Sequence, residues 1–249
     1  MRSMTNSFLV ATQFLTRLPV SPKEDFSADA LASSTAFFPV VGLLVGAGGC
    51  LLRWILLPHT NASIVAVAIL IYLVVVTGGL HEDALADAAD GFGGGFSRER
   101  VLEIMRDSRI GSFGAIAIGL GLLSRFVLLS DLSANRFISY FIAAHVLSRW
   151  SALPLASLLP AARPEDGQGR RIAQSVSASS FLLGTILCAG IVIFLLKWRA
   201  LYLVVATIAV IAATGAFYRH RIGGITGDCL GATNQLAEVA VYFMGVILR

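Results

Sequence analysis

The sequence predicts an all-α fold, a polytopic helical bundle embedded in a membrane. The chain of 249 residues is 56% hydrophobic and only 14% charged, and its mean hydropathy of +0.79 is far above that of a soluble domain. Apolar runs of about 20 residues, the length that crosses a bilayer core as a helix, recur at residues 36–57, 62–79, 112–130, 137–159, 180–197, 200–218 and 231–248. The alternation of a transmembrane barrel strand is missing. Backbone groups in lipid must pair within the segment, so these runs are expected to be helices. About seven spans result, in a single domain covering residues 1–249.

Ahead of the spans, residues 6–26 read NSFLVATQFLTRLPVSPKEDF. Thr12, Gln13 and Arg17 interrupt the apolar stretch and no small-residue cleavage site follows, so it is a poor signal peptide. Phe8, Val10, Ala11, Phe14, Leu15 and Leu18 recur at helical spacing, which predicts an amphipathic helix in the membrane interface. With the N-terminus placed in the cytoplasm, Arg2, Arg17, Lys23, Arg98, Arg100, Arg106, Arg109, Arg163, Arg170, Arg171, Arg219 and Arg221 fall on the cytoplasmic side. Only Arg136, Lys197, Arg199 and Arg249 fall opposite, with Arg53, Arg125 and Arg149 inside spans. Trp54, Trp150 and Trp198 sit near span ends, as interfacial anchors do. The net charge of +4 follows from the cytoplasmic arginines and does not indicate nucleic-acid binding. Cys50, Cys188 and Cys229 show no CxxC pairing and are expected to stay reduced.

The densest chemical signal is GGLHEDALADAADGFGGGFSRER, residues 78–100. It groups Glu82, Asp83, Asp87 and Asp90 at the end of a span. Asp83, Asp87 and Asp90 are spaced i, i+4, i+7 and share a helix arc of about 60°, and the intervening alanines and leucine favour a helix. Carboxylates so close repel by up to about 4 kcal/mol per pair at an effective dielectric near 20. Arg98, Arg100, Arg106 and Arg109 could balance such a solvated face. The restriction of the acids to one face, followed by a glycine loop at 91–95 whose backbone can approach a ligand, argues instead for a hard divalent cation, Mg²⁺, Mn²⁺ or Ca²⁺. His81 alone makes no zinc site.

Two further motifs fall on the same side. RDSRIGSFG brings Arg106, Asp107, Ser108 and Arg109 to the start of a span, and the planar guanidinium suits phosphate. RIGGITGDCLGATNQLAE places Thr226, Gly227 and Asp228 at a helix start, a place that binds anions or holds metal ligands, while Asn234, Gln235 and Glu238 enter hydrocarbon depth, where polar residues serve function or helix pairing. Acids, arginines and glycine-rich turns at one mouth suggest metal-assisted chemistry on a diphosphate.

Nearly end to end, the chain resembles the cobalamin synthases, the adenosylcobinamide-GDP ribazoletransferases. FLTRLPV, FFPVVGLLVG, GGLHEDALADAADGF, VLEIMRDSRIGSFG, the SRW at 148–150 and GGITGDCLGA carry the resemblance in order, the acidic motif and MRDSRIG being the specific ones. Glu82 stands where that pattern suggests an apolar residue, and Gln235 where it suggests an acid. The resemblance implies a Mg²⁺-dependent transferase of the bacterial inner membrane, with its N-terminus and active site facing the cytoplasm. It would join adenosylcobinamide-GDP to α-ribazole or its 5′-phosphate and release GMP. Asp83, Asp87 and Asp90, with Glu82, Asp107 and Asp228, would hold metal. Asp83, Asp87, Asp90 and His81 would carry catalysis. Arg106, Ser108, Arg109, Gly93, Gly94, Thr226 and Gly227 would bind phosphate. A homo-oligomer is compatible with such a bundle. The DxxDG at Asp87–Gly91 also begins like the CDP-alcohol phosphotransferase motif, but its later residues do not follow at the usual spacing. A cation-coupled transporter would place paired acids near the midplane instead.

Overall fold

A computed structural model describes residues 4–22, 28–163 and 176–248. Arg2, Lys23, Arg170, Arg171 and Arg249 lie outside the described residues. The helices are α1 (Met4–Leu15), α2 (Ala28–Ser34), α3 (Phe38–Leu56), α4 (Ala62–Thr77), α5 (Leu80–Gly94), α6 (Arg98–Ile104), α7 (Ser112–Asp131), α8 (Ala134–Trp150), α9 (Ala152–Leu158), α10 (Ala178–Leu196), α11 (Ala200–Ile222) and α12 (Gly227–Ile247), with short 3₁₀ turns at Thr35–Phe37 and Lys197–Arg199. Every apolar run of the sequence forms a helix, and no strand occurs among the described residues.

Among the described residues, three helical stretches are long and apolar enough to cross a membrane alone: Ala30–Leu56, Ser112–Asp131 and Ala178–Ile222. The α4–α5 pair, bent by 87°, passes the same test only as a unit. The remaining expected spans, α8 and α12, are too polar or too short by that measure because they form the inside of the bundle. Every residue from Tyr140 to Trp150 is buried, and α12 buries Thr233, Asn234, Gln235, Glu238 and Tyr242. Lipid therefore meets the outer helices, and polar side chains are spent on the two inner ones, where partners can satisfy them.

Local chemistry explains the helix ends. Asn61 caps α4 by accepting the Ile64 N–H at 3.0 Å, Ser97 caps α6 and Ser177 caps α10. Gly78 and Gly79 both adopt left-handed backbone, with φ of 67° and 70°, and this pair turns the chain from α4 into α5. Helix α3 packs on α8 through a stripe of small residues. A Cβ on Gly42 would lie 2.2 Å from the His145 carbonyl oxygen, and one on Gly46 would lie 3.1 Å from the Ile142 Cα, so the two backbones meet at glycine, a common way for helices to associate in lipid.

The N-terminal helix α1 forms as expected. Its Val10, Ala11 and Leu15 are buried, Phe8 stands edge-on to Phe37 and Phe14 stacks on Phe38, so much of its apolar stripe packs on the protein. The Arg17 N–H donates to the Val76 carbonyl at 2.7 Å, which ties the end of α1 to the end of α4.

These contacts separate two kinds of glycine. Gly42→Ala is expected to cost about 3 kcal/mol, the upper end for overpacking, because the obstructing atoms are backbone. Gly79→Ala has open space around the new methyl and should cost only the left-handed conformation, about 1 kcal/mol. Thermal unfolding of both variants in detergent tests the order, and equal losses would contradict it.

Candidate active site

Three polar segments meet at one end of the bundle. The Ala162 N–H donates to the Ile225 carbonyl at 2.8 Å and the Ile225 N–H to the Pro160 carbonyl at 2.9 Å, a short parallel bridge that joins the end of α9 to the turn before α12. Gly224 is required there, since a Cβ would lie 2.3 Å from the Pro160 oxygen. Arg98 donates to the Ala162 carbonyl, and Arg163 donates to the Leu102 carbonyl. Arg221 donates to the carbonyls of Phe92 and Gly95, closing the C-terminal end of α5, where a cation is favoured. The motifs read separately along the sequence thus surround α5.

The expected loop at 91–95 is instead mostly helix, since α5 runs to Gly94. Its glycines are needed for packing. A Cβ on Gly91 would lie 2.5 Å from Met105, one on Gly93 would enter the Phe113 ring, and one on Gly94 would touch Ile104. The loss of those side chains lets α6 and α7 lie directly on α5, which supports the helical conformation.

Helix α5 also lies against α12, with Ala84 beside Gly231, where a Cβ would come within 2.3 Å of the Ala84 Cβ. Glu82 meets Gln235 on one side of this contact, and on the other Asp228 lies near enough for its charge to act on Asp87. The result is an acidic cluster. Asp83 is exposed, Asp87 and Asp228 are half-buried and Asp90 is buried. Burial, followed by the negative charge of Asp228, Asp83 and Asp90, raises the Asp87 carboxyl to about 7, with Arg163 acting in the opposite direction. Among the described residues Arg163 is the cation that acts on Asp87 and Asp228, and one guanidinium cannot balance several carboxylates.

The aspartates differ in how firmly they are engaged. Asp90 accepts the Gly111 N–H at 2.7 Å and the Gly114 N–H at 2.8 Å, one on each carboxylate oxygen, so it caps the start of α7 and meets the positive end of that helix. Both glycines make room for it, since a Cβ on either would lie 2.3 Å from a carboxylate oxygen. Asp228 accepts the Thr226 hydroxyl at 3.1 Å, while Thr226 caps α12 by accepting the Cys229 N–H. Gly227 is exposed beside it. Asp107 is gripped by the Arg109 fork at 2.6 to 3.1 Å, which holds its carboxyl down at about 2. Arg106, Ser108 and Arg109 are exposed on the same connection.

Two residues lie apart from this face. His81 is 4% exposed, buried under α5 in the field of Arg149, Glu238, Arg125 and His145. Glu82 points into the bundle and accepts from Arg125 Nη1 at 2.9 Å. Among the described residues no three His, Cys, Asp or Glu side chains form a ready-made metal cage. The fit is to Mg²⁺ all the same, because the donors are all oxygen and Mg²⁺ is commonly held by one or two carboxylates completed by water and substrate phosphate. A cleft of about 670 Å³ opens elsewhere, between α7, α11 and α12, but its lining of Leu123, Val127, Leu236 and Phe243 carries no titratable group and offers no chemistry for phosphate.

The profile of a family described as cobalamin-5-phosphate synthase matches residues 7–246. The chain belongs to that family. It is 38% identical over 247 residues to the adenosylcobinamide-GDP ribazoletransferase of Shewanella amazonensis, with 97% of this chain and 95% of the relative covered. To the protein of that name from Ralstonia nicotianae it is 39% identical over 252 residues, covering 98% and 96%, and to that of a Polaromonas species 38% over 266 residues, covering 94% of each. No solved structure matches.

The cobalamin-5-phosphate synthase motifs thus gather at one end of the fold. In the sequence Arg163 is no more than a loop charge. Its one available signal was position, just past the end of an apolar run, and its closeness to Asp87 and Asp228 depends on the bridge between Pro160–Ala162 and Ile225. The two departures from the family pattern, Glu82 and Gln235, touch each other: Gln235 Nε2 donates to Glu82 Oε1 at 3.2 Å.

Asp90 and Asp87 should respond oppositely to neutralisation. Asp90→Asn weakens charge-assisted bonds to two backbone N–H groups and is expected to lower stability by about 1.5–3 kcal/mol. Asp87→Asn relieves repulsion and should leave the melting temperature of the metal-free protein unchanged or higher. Differential scanning fluorimetry in EDTA separates the two, and equal falls would contradict the assignment of Asp90 as the cap.

Proposed function

We propose that the chain is a Mg²⁺-dependent adenosylcobinamide-GDP ribazoletransferase. It transfers the adenosylcobinamide phosphate group from the GDP-activated form to α-ribazole or its 5′-phosphate, yields adenosylcobalamin or its 5′-phosphate, and releases GMP. The observation that carries this reading is the acidic face of Asp83, Asp87 and Asp228, offset among the described residues by Arg163 and set where the arginine-bearing segments meet, in a chain of the cobalamin-5-phosphate synthase family. The full-length similarity to proteins of that name supports it.

In this reading Asp83 and Asp87 on α5 and Asp228 on α12 would hold Mg²⁺, with Asp90 setting the position of α5 and Asp107 keeping Arg109 oriented. A Mg²⁺ held there would supply positive charge against the diphosphate and its departing phosphate. Arg163, Arg106 and Arg109 offer guanidinium N–H groups to phosphate oxygens. Ser108, the Thr226–Gly227 turn and the exposed glycines Gly93 and Gly94 shape the surface on which the substrate lies. The ribazole 3′-hydroxyl attacks the phosphorus attached to the cobinamide aminopropanol, its proton passes to an aspartate of the same face, and the bond to GMP breaks. The base is drawn from this face because His81 is buried under α5. Repulsion among the aspartates in the empty site is the physical reason for metal to bind with substrate.

The positive-charge asymmetry of the loops supports a cytoplasmic N-terminus and a cytoplasmic reaction face in the bacterial inner membrane. Substrate and product nucleotides are then exchanged with the cytoplasm.

The test is product formation by the purified protein in lipid, supplied with adenosylcobinamide-GDP and α-ribazole. GMP and cobamide should appear in equal amounts by mass spectrometry, cease in EDTA and return with Mg²⁺. Asp83→Asn and Asp87→Asn should each lower turnover by about 100-fold or more, the scale of losing a well-placed electrostatic group. Normal turnover of Asp83→Asn at saturating Mg²⁺ would remove the acidic face from the mechanism.

Arg163→Gln is expected to raise the KM for adenosylcobinamide-GDP more than it lowers kcat, read from initial rates on folded protein. An unchanged KM would take Arg163 out of the substrate site.

A further inference from the structure

Helix α7 carries Arg125 in the middle of an otherwise apolar span, 2% exposed. A cation there is costly and needs partners. Its Nη1 lies 2.9 Å from Glu82 Oε1 on α5 and 3.7 Å from Glu238 Oε1 on α12, and its Nε donates to the Gly121 carbonyl. Glu238 Oε2 in turn lies 3.3 Å from His145 Nδ1 and 3.5 Å from Arg149 Nη1, both on α8. Gln235 donates to the same Glu82 oxygen that receives Arg125. Four helices are joined through one chain of charges.

Stability does not account for this arrangement. A buried ion pair is often no better than apolar packing, and this one leaves Glu82 Oε2 and Gln235 Oε1 buried without hydrogen-bond partners among the described residues. Helix α5 already has close apolar contact with α12 through Ala84 and Gly231. What the charges add is direction. Along the antiparallel α5–α12 contact, Glu82 bonds Gln235, Ala84 lies against Gly231, and about one turn further along α5 the charge of Asp228 acts on Asp87. A slide or rotation of α5 that is tolerable to Ala84 and Gly231 would break the bond to Arg125. Asp83 is the residue after Glu82 and Asp87 lies little more than a turn beyond, so the register that Arg125 sets is the register of the acidic face. Fixing register is the best-attested use of buried polar pairs.

We propose that Arg125 and Glu82, seated on Glu238, form a positioning clamp that holds α5 at the depth where Asp83 and Asp87 work together with Asp228. Glu82 thereby serves the metal site from behind and does not ligate. The inference rests on the metal-binding reading of Asp87 and Asp228 given above.

The test uses the full chain in nanodiscs and Mn²⁺ as the probe, its free concentration read by electron paramagnetic resonance without any turnover. Asp87→Asn should abolish the binding that wild type shows. If it does not, the reading of the site fails and the clamp fails with it. Given that loss, Glu82→Gln is expected to weaken Mn²⁺ about 10- to 100-fold, the range found for groups that orient metal ligands, with a cooperative melting transition retained. Unchanged Mn²⁺ affinity in folded Glu82→Gln overturns the clamp while leaving the site reading intact. The exchange E82Q with Q235E moves the carboxylate to the other end of the same hydrogen bond and keeps the charge balance with Arg125. It should recover Mn²⁺ affinity to within about threefold of wild type, and it carries the test alone if Glu82→Gln does not fold, a tenfold deficit then counting against the proposal. Recovery in the exchanged protein is a result that generic loss of packing does not produce.

Discussion

A guanidinium inside an apolar bundle must be answered by carboxylates, and much of this fold follows from that demand. Arg125 cannot reach water from the middle of α7, so Glu82 and Glu238 come to it, and the helices that bear them come too. Helix α12 is drawn inside, where His145 and Arg149 on α8 take up the other side of Glu238. Helix α5 is drawn under the end of the bundle, although the chain leaves α4 at 87° to it. The left-handed turn at Gly78 and Gly79 permits that change of direction, and the charge decides where it ends.

The same placement explains why one helix shows two unlike faces. On the side of α5 toward the protein, His81, Glu82, Ala84 and Ala88 are buried and each finds a neighbour in the bundle. On the other side Asp83 is exposed and Asp87 half-buried, and among the described residues Arg163 is the cation that offsets Asp87. Acids on the first face are satisfied by protein. Acids on the second are left with a demand for positive charge, and that unmet demand distinguishes a binding surface from a structural ion pair. Asp90 belongs to both descriptions, since it lies on the acidic face yet spends its oxygens on the start of α7.

What the sequence made legible depended on the range of the interaction. The helices were readable because hydropathy over about 20 residues is a local property, and α3, α4, α7, α10 and α11 lie where apolar runs placed them. The acidic face was readable from spacing alone. Gly91, Gly93 and Gly94 were misread as a loop because a glycine that makes room for Met105, Phe113 or Ile104 looks the same in sequence as one that bends the chain. The partnership of Glu82 with Arg125 spans 43 residues and that of Glu82 with Gln235 spans 153, and no local pattern encodes either. Arg163 was hidden for the same reason, its neighbours being set by a backbone bridge to Ile225 that involves no side chain.

The polarity of the two inner helices bears on how the protein enters its membrane during synthesis. Helix α12 carries Asn234, Gln235 and Glu238 in the interior of the bundle, and each such group opposes partition of an isolated segment into lipid. Its counter-charges, Arg125 and Arg149, lie on helices made earlier, and they too are poorly suited to lipid by themselves. Insertion of α12 is therefore favourable chiefly where α7 and α8 are already present to receive it. Chain order thus supplies the cations before the acid that neutralises them, and integration of the later helix is at the same time the step that completes the interior.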